Sequence, residues 1–480
     1  MANERHLRSS ILLTLGGLAL GGLAFPLSAS AQVGEVRLYG SLHPFVDNYR
    51  TTSATPVGLS PDNGGATQVI GQDYTGDNLP NRLRMTSSTS HIGFRSELRL
   101  MERLKAFVQV EAMVNIDGDA PVLTNPWASR NSGIGVTGAY GTLFIGNWDT
   151  PYKYPTLFVG PVRSLNPFDN TLTGNPGFNV PGTTTQNGRA STKADAAFNR
   201  RQGNSVQYWS PTLYGLSARL ALSLNEGRTA ANEIEPSVSP TLWSALVSYN
   251  RGSLSVNYAY ELHLDYFGVA WLGGGPGASF TNPHSRDDAH QIVAWYTLPT
   301  GTRLAGVVER LTYRTDETAS GVVNGYQRDA FIAAVQQRLG VHRLWGSFGL
   351  AGAGRCTVVG GGACTTNGLD GLQWSVGYTF SPTETFDIYA SYYEMRNGRS
   401  ATYGLFPFVV PVEPGTTTSA FGLGILYMFD VSLGSFGRPK EPSETAAPAA
   451  VPPAAVPPAA PAAAPPAEPP APAPATPGPA

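Results

Sequence analysis

The sequence predicts an all-β fold: a sixteen-stranded antiparallel transmembrane β-barrel followed by a disordered Pro/Ala-rich tail. Three observations lead there. Segments along the chain alternate apolar and polar residues with period two, and the connections between them alternate between short and long. Beyond residue 31, no stretch approaches the roughly 18 apolar residues that a spanning helix needs.

The N-terminus comes first. Arg5 and Arg8 precede an apolar run from Ile11 to Leu23, and Ala29-Ser30-Ala31 follows it. A charged start, a short apolar core and an A-x-A end compose a secretory signal peptide. Residues 1–31 are expected to be removed, so that Gln32 begins the mature chain. At the other end, residues 441–480 hold 15 of the 39 prolines and are otherwise mostly alanine. Proline neither donates to a ladder nor continues a helix, so the tail, counted as 430–480, is an extended spacer of roughly 3.1 Å per residue. The barrel domain is then 32–429.

Within that domain the alternation is regular. Ala106, Val108, Val110 and Ala112 share one parity, and Lys105, Gln109 and Glu111 take the other. Leu254, Val256, Tyr258 and Tyr260 alternate with Ser255, Asn257 and Glu261. Ile388, Ala390 and Tyr392 alternate with Asp387, Tyr389 and Ser391. Such spacing describes strands with one apolar and one polar face. The expected strands are 33–49, 82–100, 104–117, 128–138, 141–148, 203–211, 215–225, 240–250, 253–264, 287–299, 302–315, 327–339, 342–353, 370–381, 384–397 and 418–429. Short turns such as Ala139-Tyr140 and Asn250-Arg251-Gly252 alternate with long polar segments such as 51–80, 265–286 and 397–417. Short turns on one rim and long loops on the other characterise an outer-membrane barrel, whereas a soluble sandwich has no reason to sort its loops. Aromatic residues near strand ends, among them Tyr208, Tyr296, Tyr378 and Tyr427, suit the girdles where membrane meets water.

A charged side chain facing lipid costs about 2–4 kcal/mol at the midplane, so the polar parity must face the lumen. Arg37, Asp47, Arg95, Lys105, Glu111, Arg219, Glu261 and Asp387 are thereby placed on the pore wall. The formal net charge of -2 gives no reason to expect a nucleic-acid partner. Cys356 and Cys364 are the two cysteines, and their short spacing in an exported chain predicts a loop disulfide. Neither G-x-S-x-G nor H-E-x-x-H occurs, so no enzyme, cofactor or metal is expected. Asn115-Ile116-Asp117-Gly118-Asp119 has the oxygen donors of a calcium loop, but Asp-Gly is equally turn chemistry, and a turn is the expectation.

Several motifs in order resemble the Gram-negative trimeric general porins. Val36-Arg37-Leu38-Tyr39-Gly40 resembles their first strand, and Ser90-His91-Ile92-Gly93-Phe94-Arg95 with Leu104-Lys105-Ala106-Phe107 resembles the second hairpin. Ile134-Gly135-Val136-Thr137-Gly138-Ala139-Tyr140-Gly141-Thr142-Leu143-Phe144-Ile145-Gly146, Arg201-Gln202-Gly203-Asn204-Ser205-Val206-Gln207-Tyr208-Trp209-Ser210-Pro211 and Ser381-Pro382-Thr383-Glu384-Thr385-Phe386-Asp387-Ile388-Tyr389 are similar to later elements. The final strand ends Gly424-Ile425-Leu426-Tyr427-Met428-Phe429. Two departures stand out: the turn Met101-Glu102-Arg103 lacks the family's glycines, and the terminal aromatic has become internal.

The resemblance implies a homotrimer in outer-membrane lipid whose third long loop, here 149–202, folds inward and narrows the pore. It places His91, Arg130 or Asn131, Asn147 and Arg201 on the wall of the constriction. Asp149, Arg163 and the adjacent Asp169-Asn170 face them from the loop. His91 is the member that can change charge near neutral pH. The expected function is passive diffusion of ions and small hydrophilic solutes. Two alternatives stay open: a substrate-biased porin with a dedicated site, and a structural anchor whose tail, lying in the periplasm, contacts the cell wall.

Overall fold

When period-two strands close into a ring, one parity meets lipid and the other meets the lumen. The computed structural model describes residues 34–57, 67–68, 76–87, 89–117, 127–160, 172–178, 197–223, 239–265, 284–316, 319–404 and 413–436. Among them the alternation becomes sixteen staves. β1 consists of Gly34–Leu42 and Phe45–Thr52, and β2 of Arg82–Thr86 and His91–Met101. There follow β3 (Leu104–Met113), β4 (Ser132–Gly138), β5 (Gly141–Asp149), β6 (Arg201–Trp209), β7 (Leu216–Ser223) and β8 (Thr241–Arg251). Then come β9 (Leu254–Leu264), β10 (Ser285–Thr297), β11 (Thr302–Thr315) and β12 (Val323–Leu339). β13 (His342–Ala351), β14 (Gly371–Thr383), β15 (Phe386–Asn397) and β16 (Thr417–Phe436) complete the set.

Each stave pairs antiparallel with the next, and Gly34↔Phe436 through Leu42↔Tyr427 joins β1 to β16 and closes the barrel. The parities fall as required. On β9, Leu254, Val256 and Tyr258 are 37%, 38% and 45% exposed on the outside, while Ser255, Asn257 and Glu261 are buried inside. β1 and β2 break at the same level, at His43-Pro44 and at residues 87–90. Pro44 has no N–H for the ladder, and the neighbouring His43 N–H donates to Ser90 Oγ at 2.7 Å instead.

Several boundaries differ from expectation: β3 stops at Met113 rather than 117, β4 starts at Ser132 rather than 128, and β12 starts at Val323 rather than 327. The first stave runs on to Thr52, and the last reaches Phe436 rather than Phe429, because Gly34–Leu42 offers an edge for it to pair with. Residues 1–33 and 437–480, which hold the expected signal peptide and most of the tail, lie outside the described residues. Above β12 a further strand, β17 (Arg355–Val358), pairs with Val323 and Gly325–Gln327. Cys364-Thr365 pairs in parallel with Thr67-Gln68, which ties two long connections together. The expected disulfide Cys356–Cys364 is formed, with Cα atoms 6.1 Å apart. Closing so short a loop is worth roughly 2–4 kcal/mol. Cys356→Ser is therefore expected to accelerate hydrogen exchange across 355–365 while the barrel keeps its heat-modifiable mobility on gels. Unchanged exchange there would show that β17 is held by its ladder alone.

The core lies inside the barrel. Tyr152, Phe178 and Phe198, all from the long connection after β5, pack on Leu246, Ala259, Ala289, Leu311, Tyr313 and Tyr326 of the wall. Each buried aromatic contributes roughly 1.5–3 kcal/mol, so this connection is drawn onto the inner wall rather than into solvent. Glycine permits two other aromatics to lie flat against the sheet. A Cβ at Gly93 would stand 2.4 Å from the Tyr39 ring, and one at Gly377 would stand 2.1 Å from the Trp345 ring.

Candidate pore constriction

The candidate constriction starts where β5 ends. Asp149 closes that stave opposite Arg201 of β6, and the chain then turns inward through Thr150-Pro151-Tyr152-Lys153 to a short 3-10 turn, Tyr154–Phe158. Proline at the second position of that turn has its φ preset for it. Arg219 of β7 holds the turn from the wall, with its guanidinium carbon 3.5 Å from the Tyr154 ring centroid and 4.1 Å from that of Trp209. Sequence placed Arg219 as a lumen charge. In the structure it faces inward and makes a bracing contact of the cation–π kind.

Further along, the arm is bolted to β11 and β12. The Tyr152 hydroxyl donates to Glu309 at 2.7 Å, and the Gly174 N–H donates to the same carboxylate at 2.7 Å. Arg328 donates to the carbonyls of Leu172 at 2.7 Å and Asn175 at 2.9 Å, and stands 3.4 Å from Glu309. Both charged groups are fully buried. The Tyr152 backbone is fixed as well, donating to Ser244 Oγ at 2.9 Å and accepting from Gln291. An ion pair taken out of water needs further hydrogen bonds for its remaining lone pairs and protons, and here the arm's own backbone supplies carbonyl acceptors to Arg328 and an N–H donor to Glu309.

Facing the arm across β3 to β6 is a charged cluster. Arg130 pairs with Glu111 at 2.6 Å, and Glu111 also accepts from the Tyr39 hydroxyl at 3.1 Å. The Asn131 amide donates to Asp149 at 2.8 Å and accepts from Arg201 Nε at 2.8 Å. Arg201 and Lys153 stand 3.3 Å and 2.9 Å from the Asp149 carboxylate. Three cations, Arg130, Lys153 and Arg201, thus meet two carboxylates, Glu111 and Asp149.

Of the residues expected at the constriction, Arg130, Asn131, Asp149 and Arg201 come together. Asn147 stands behind them, bonded to the carbonyls of Ala128 and Arg130 and so bracing the turn that carries Arg130. His91 is half-buried, with its ring 6.5 Å from that of Tyr39 and Nδ1 3.0 Å from the Thr89 carbonyl. A carbonyl can only accept, so that nitrogen carries the proton. Arg95 and Lys105 lie nearer the short-turn rim. Arg95 shares Asp430 with Arg37, at 2.6 Å and 2.8 Å, and Lys105 pairs with Glu97 at 2.9 Å. Arg163, Asp169 and Asn170 lie outside the described residues. Sequence reading missed Lys153, Tyr152, Glu309 and Arg328. Among the described residues, no group of three or more His, Cys, Asp or Glu side chains could hold a metal ion.

An apolar outer band, a charged inner wall and a loop drawn into the lumen of a closed barrel define a membrane diffusion channel. The chain belongs to the Gram-negative porin family, whose profile matches residues 17–427. It is similar to the major outer membrane protein P.IA of Neisseria meningitidis serogroup A, with 24% identity over 302 residues covering 57% of this chain and 69% of that one. It is also similar to P.IB of that serogroup, with 28% identity over 250 residues covering 52% and 60%. Among solved structures it is similar to the anion-selective porin from Comamonas acidovorans (TM-score 0.57, 17% identity, 82% of this chain and 100% of that one). It is likewise similar to the trimer form of OmpT from Vibrio cholerae (TM-score 0.50, 14% identity, 83% and 100%). At these identities the solved structures carry the fold. The protein is an outer-membrane channel for passive diffusion.

Proposed function

We propose that the pore is a general one, narrowed by the arm that begins at Asp149, with a mild preference for small anions. What supports this reading is the charge balance of the cluster: three cations against two carboxylates leaves one positive charge in excess at the narrows. Nearly every charge there already has a partner, so the field on a passing ion is weak and no single solute is singled out. The substrate-biased alternative needs a convergent set of groups left open to the lumen, which the paired cluster does not offer. Reversal potentials across a planar bilayer in a salt gradient test the proposal. A small anion preference that fades above about 1 M salt is expected, since the Debye length there is about 3 Å.

Three further features belong to the same reading. A homotrimer is proposed, consistent with a trimer form among proteins of like fold. Residues 1–31 act as a signal peptide. A periplasmic tail is proposed too, and what supports it is that Gly34 and Phe436 lie side by side at the short-turn rim. The anchor function rests on the tail's composition alone and is the weaker reading. A chain stopped after Phe436 should insert and conduct like the full chain. One stopped at Phe429 loses Asp430, the shared partner of Arg37 and Arg95, and should melt lower on heating in detergent. Equal melting of the two truncations would remove any role for that last pairing.

A further inference from the structure

The arm has a second support, supplied from the far end of the barrel domain. After β15 the chain does not leave for the surface. Ser400, Ala401 and Tyr403 are 0% exposed and Thr402 is 1% exposed. A connection that runs over the surface keeps its backbone in water, so a buried one needs partners for its polar groups. This one has them. The Gly398 N–H donates to the Asp370 carbonyl at 2.8 Å, and the Ser400 N–H donates to that of Gly368 at 2.8 Å. The Arg399 carbonyl accepts from the Thr55 hydroxyl at 2.6 Å. Asn397, which ends β15, takes both sides of the Tyr403 backbone. Its side chain accepts from the Tyr403 N–H at 2.7 Å and donates to the Tyr403 carbonyl at 2.9 Å.

What this segment touches is the arm. The Thr402 N–H donates to the Gly177 carbonyl at 2.8 Å. Leu172 of the arm clusters with Ala401 and Tyr403, and with Ala330, Ala351 and Met395 of the wall. The Arg328 guanidinium carbon, already engaged with the arm, stands 5.8 Å from the Tyr403 ring centroid. Two glycines make room for that ring. A Cβ at Gly177 would stand 2.4 Å from it, and one at Gly371, the first residue of β14, would stand 2.5 Å from it. Gly177 also has φ +81°, which other residues adopt only with strain. The limb 172–178 is thus packed between the wall and a ring that comes from another connection.

We propose that residues 398–403 clasp the arm, and that Tyr403 is a positioning residue which, with Glu309, sets the width of the pore. This rests on the reading that the arm narrows the channel. Truncating a buried aromatic removes the surface on which Leu172 and Gly177 rest, and the limb can then leave the wall.

The test is single-channel recording of the full-length protein, with heat-modifiable mobility on gels to show that each variant has folded. Tyr403→Ala should lengthen the time spent in a wider, noisier sublevel by more than about tenfold. Gly371→Ala, which leaves Tyr403 in the chain but crowds its ring, should open the same sublevel. Combining the two should add little, because the added methyl group then has no ring to displace. Leu344→Ala, on the lipid face of β13, should record like the wild type. If Glu309→Ala opens the sublevel while the Tyr403 and Gly371 variants do not, the clasp is overturned and the arm remains the constriction. If all three record like the wild type, the arm itself is not the narrow point, and the clasp falls with it. A Gly371→Ala effect that persists undiminished beside Tyr403→Ala would place its origin in the wall and also overturn the proposal.

Discussion

Glu309→Ala is expected to raise the mean single-channel conductance and to make the open current noisy, while the barrel still assembles. The carboxylate is the point where both sides of the inward arm are fastened, since Tyr152 and Gly174 donate to it from either end of the described arm. Hydrogen bonds to a charged group contribute roughly 1.5–3 kcal/mol each, so two of them outweigh the conformational freedom of a few arm residues. Removing one partner also leaves Arg328 buried without its counter-charge, at a cost of about 3–5 kcal/mol. The two effects can be separated. Glu309→Ala/Arg328→Met deletes both charges and should recover most of the thermal stability, yet the arm still lacks its acceptor and the noise should persist. Bilayer recordings and melting curves of the three proteins decide this. Unchanged conductance and noise in both variants would mean that the arm is held by its aromatic contacts.

The second large effect concerns selectivity. Arg130→Gln/Arg201→Gln keeps hydrogen-bonding side chains at both positions but leaves Lys153 alone against Glu111 and Asp149. The excess of one positive charge becomes an excess of one negative charge. In a wet lumen each unit charge acts on a passing ion with about 1 kcal/mol at close approach, roughly a fivefold bias. The reversal potential in a salt gradient should therefore change sign, from anion to cation preference. Arg310→Ala, on the outer face, should leave it where it was. A reversal potential that ignores the double substitution would place the narrowest point elsewhere, in residues such as 161–171 that the structure does not describe.

Sequence made much of the barrel legible and half of the site. Period two marked the staves wherever one face met lipid and the other met water, as on β3, β9 and β15. The same rule concealed Glu309 and Arg328. Along β11 the inward positions are Arg303, Ala305, Val307, Glu309, Leu311 and Tyr313, because the arm covers them and turns the wall there into a core. Staves with apolar residues on both faces have no parity to read, so Glu309 on β11 and Arg328 on β12 look like exceptions. Lys153 was missed for a different reason. Its place depends on the path of the arm after Pro151, which no local periodicity encodes. By contrast Arg130, Asn131 and Arg201 were found because they stand on or just before strands that match family motifs in order. The overrun of β16 to Phe436 was illegible because its partner edge lies at the other end of the barrel domain.

Single-channel recording of the purified protein in planar bilayers, across a range of salt concentrations and with uncharged solutes of increasing size, bears on the nature of the channel itself. A passive water-filled pore conducts without an energy source, its conductance rises nearly in proportion to bulk salt, and solutes are excluded above a sharp size limit set by the arm. Conductance that saturates at low salt, or a current blocked by micromolar amounts of one solute, would instead show a dedicated binding site in the lumen and contradict passive general diffusion.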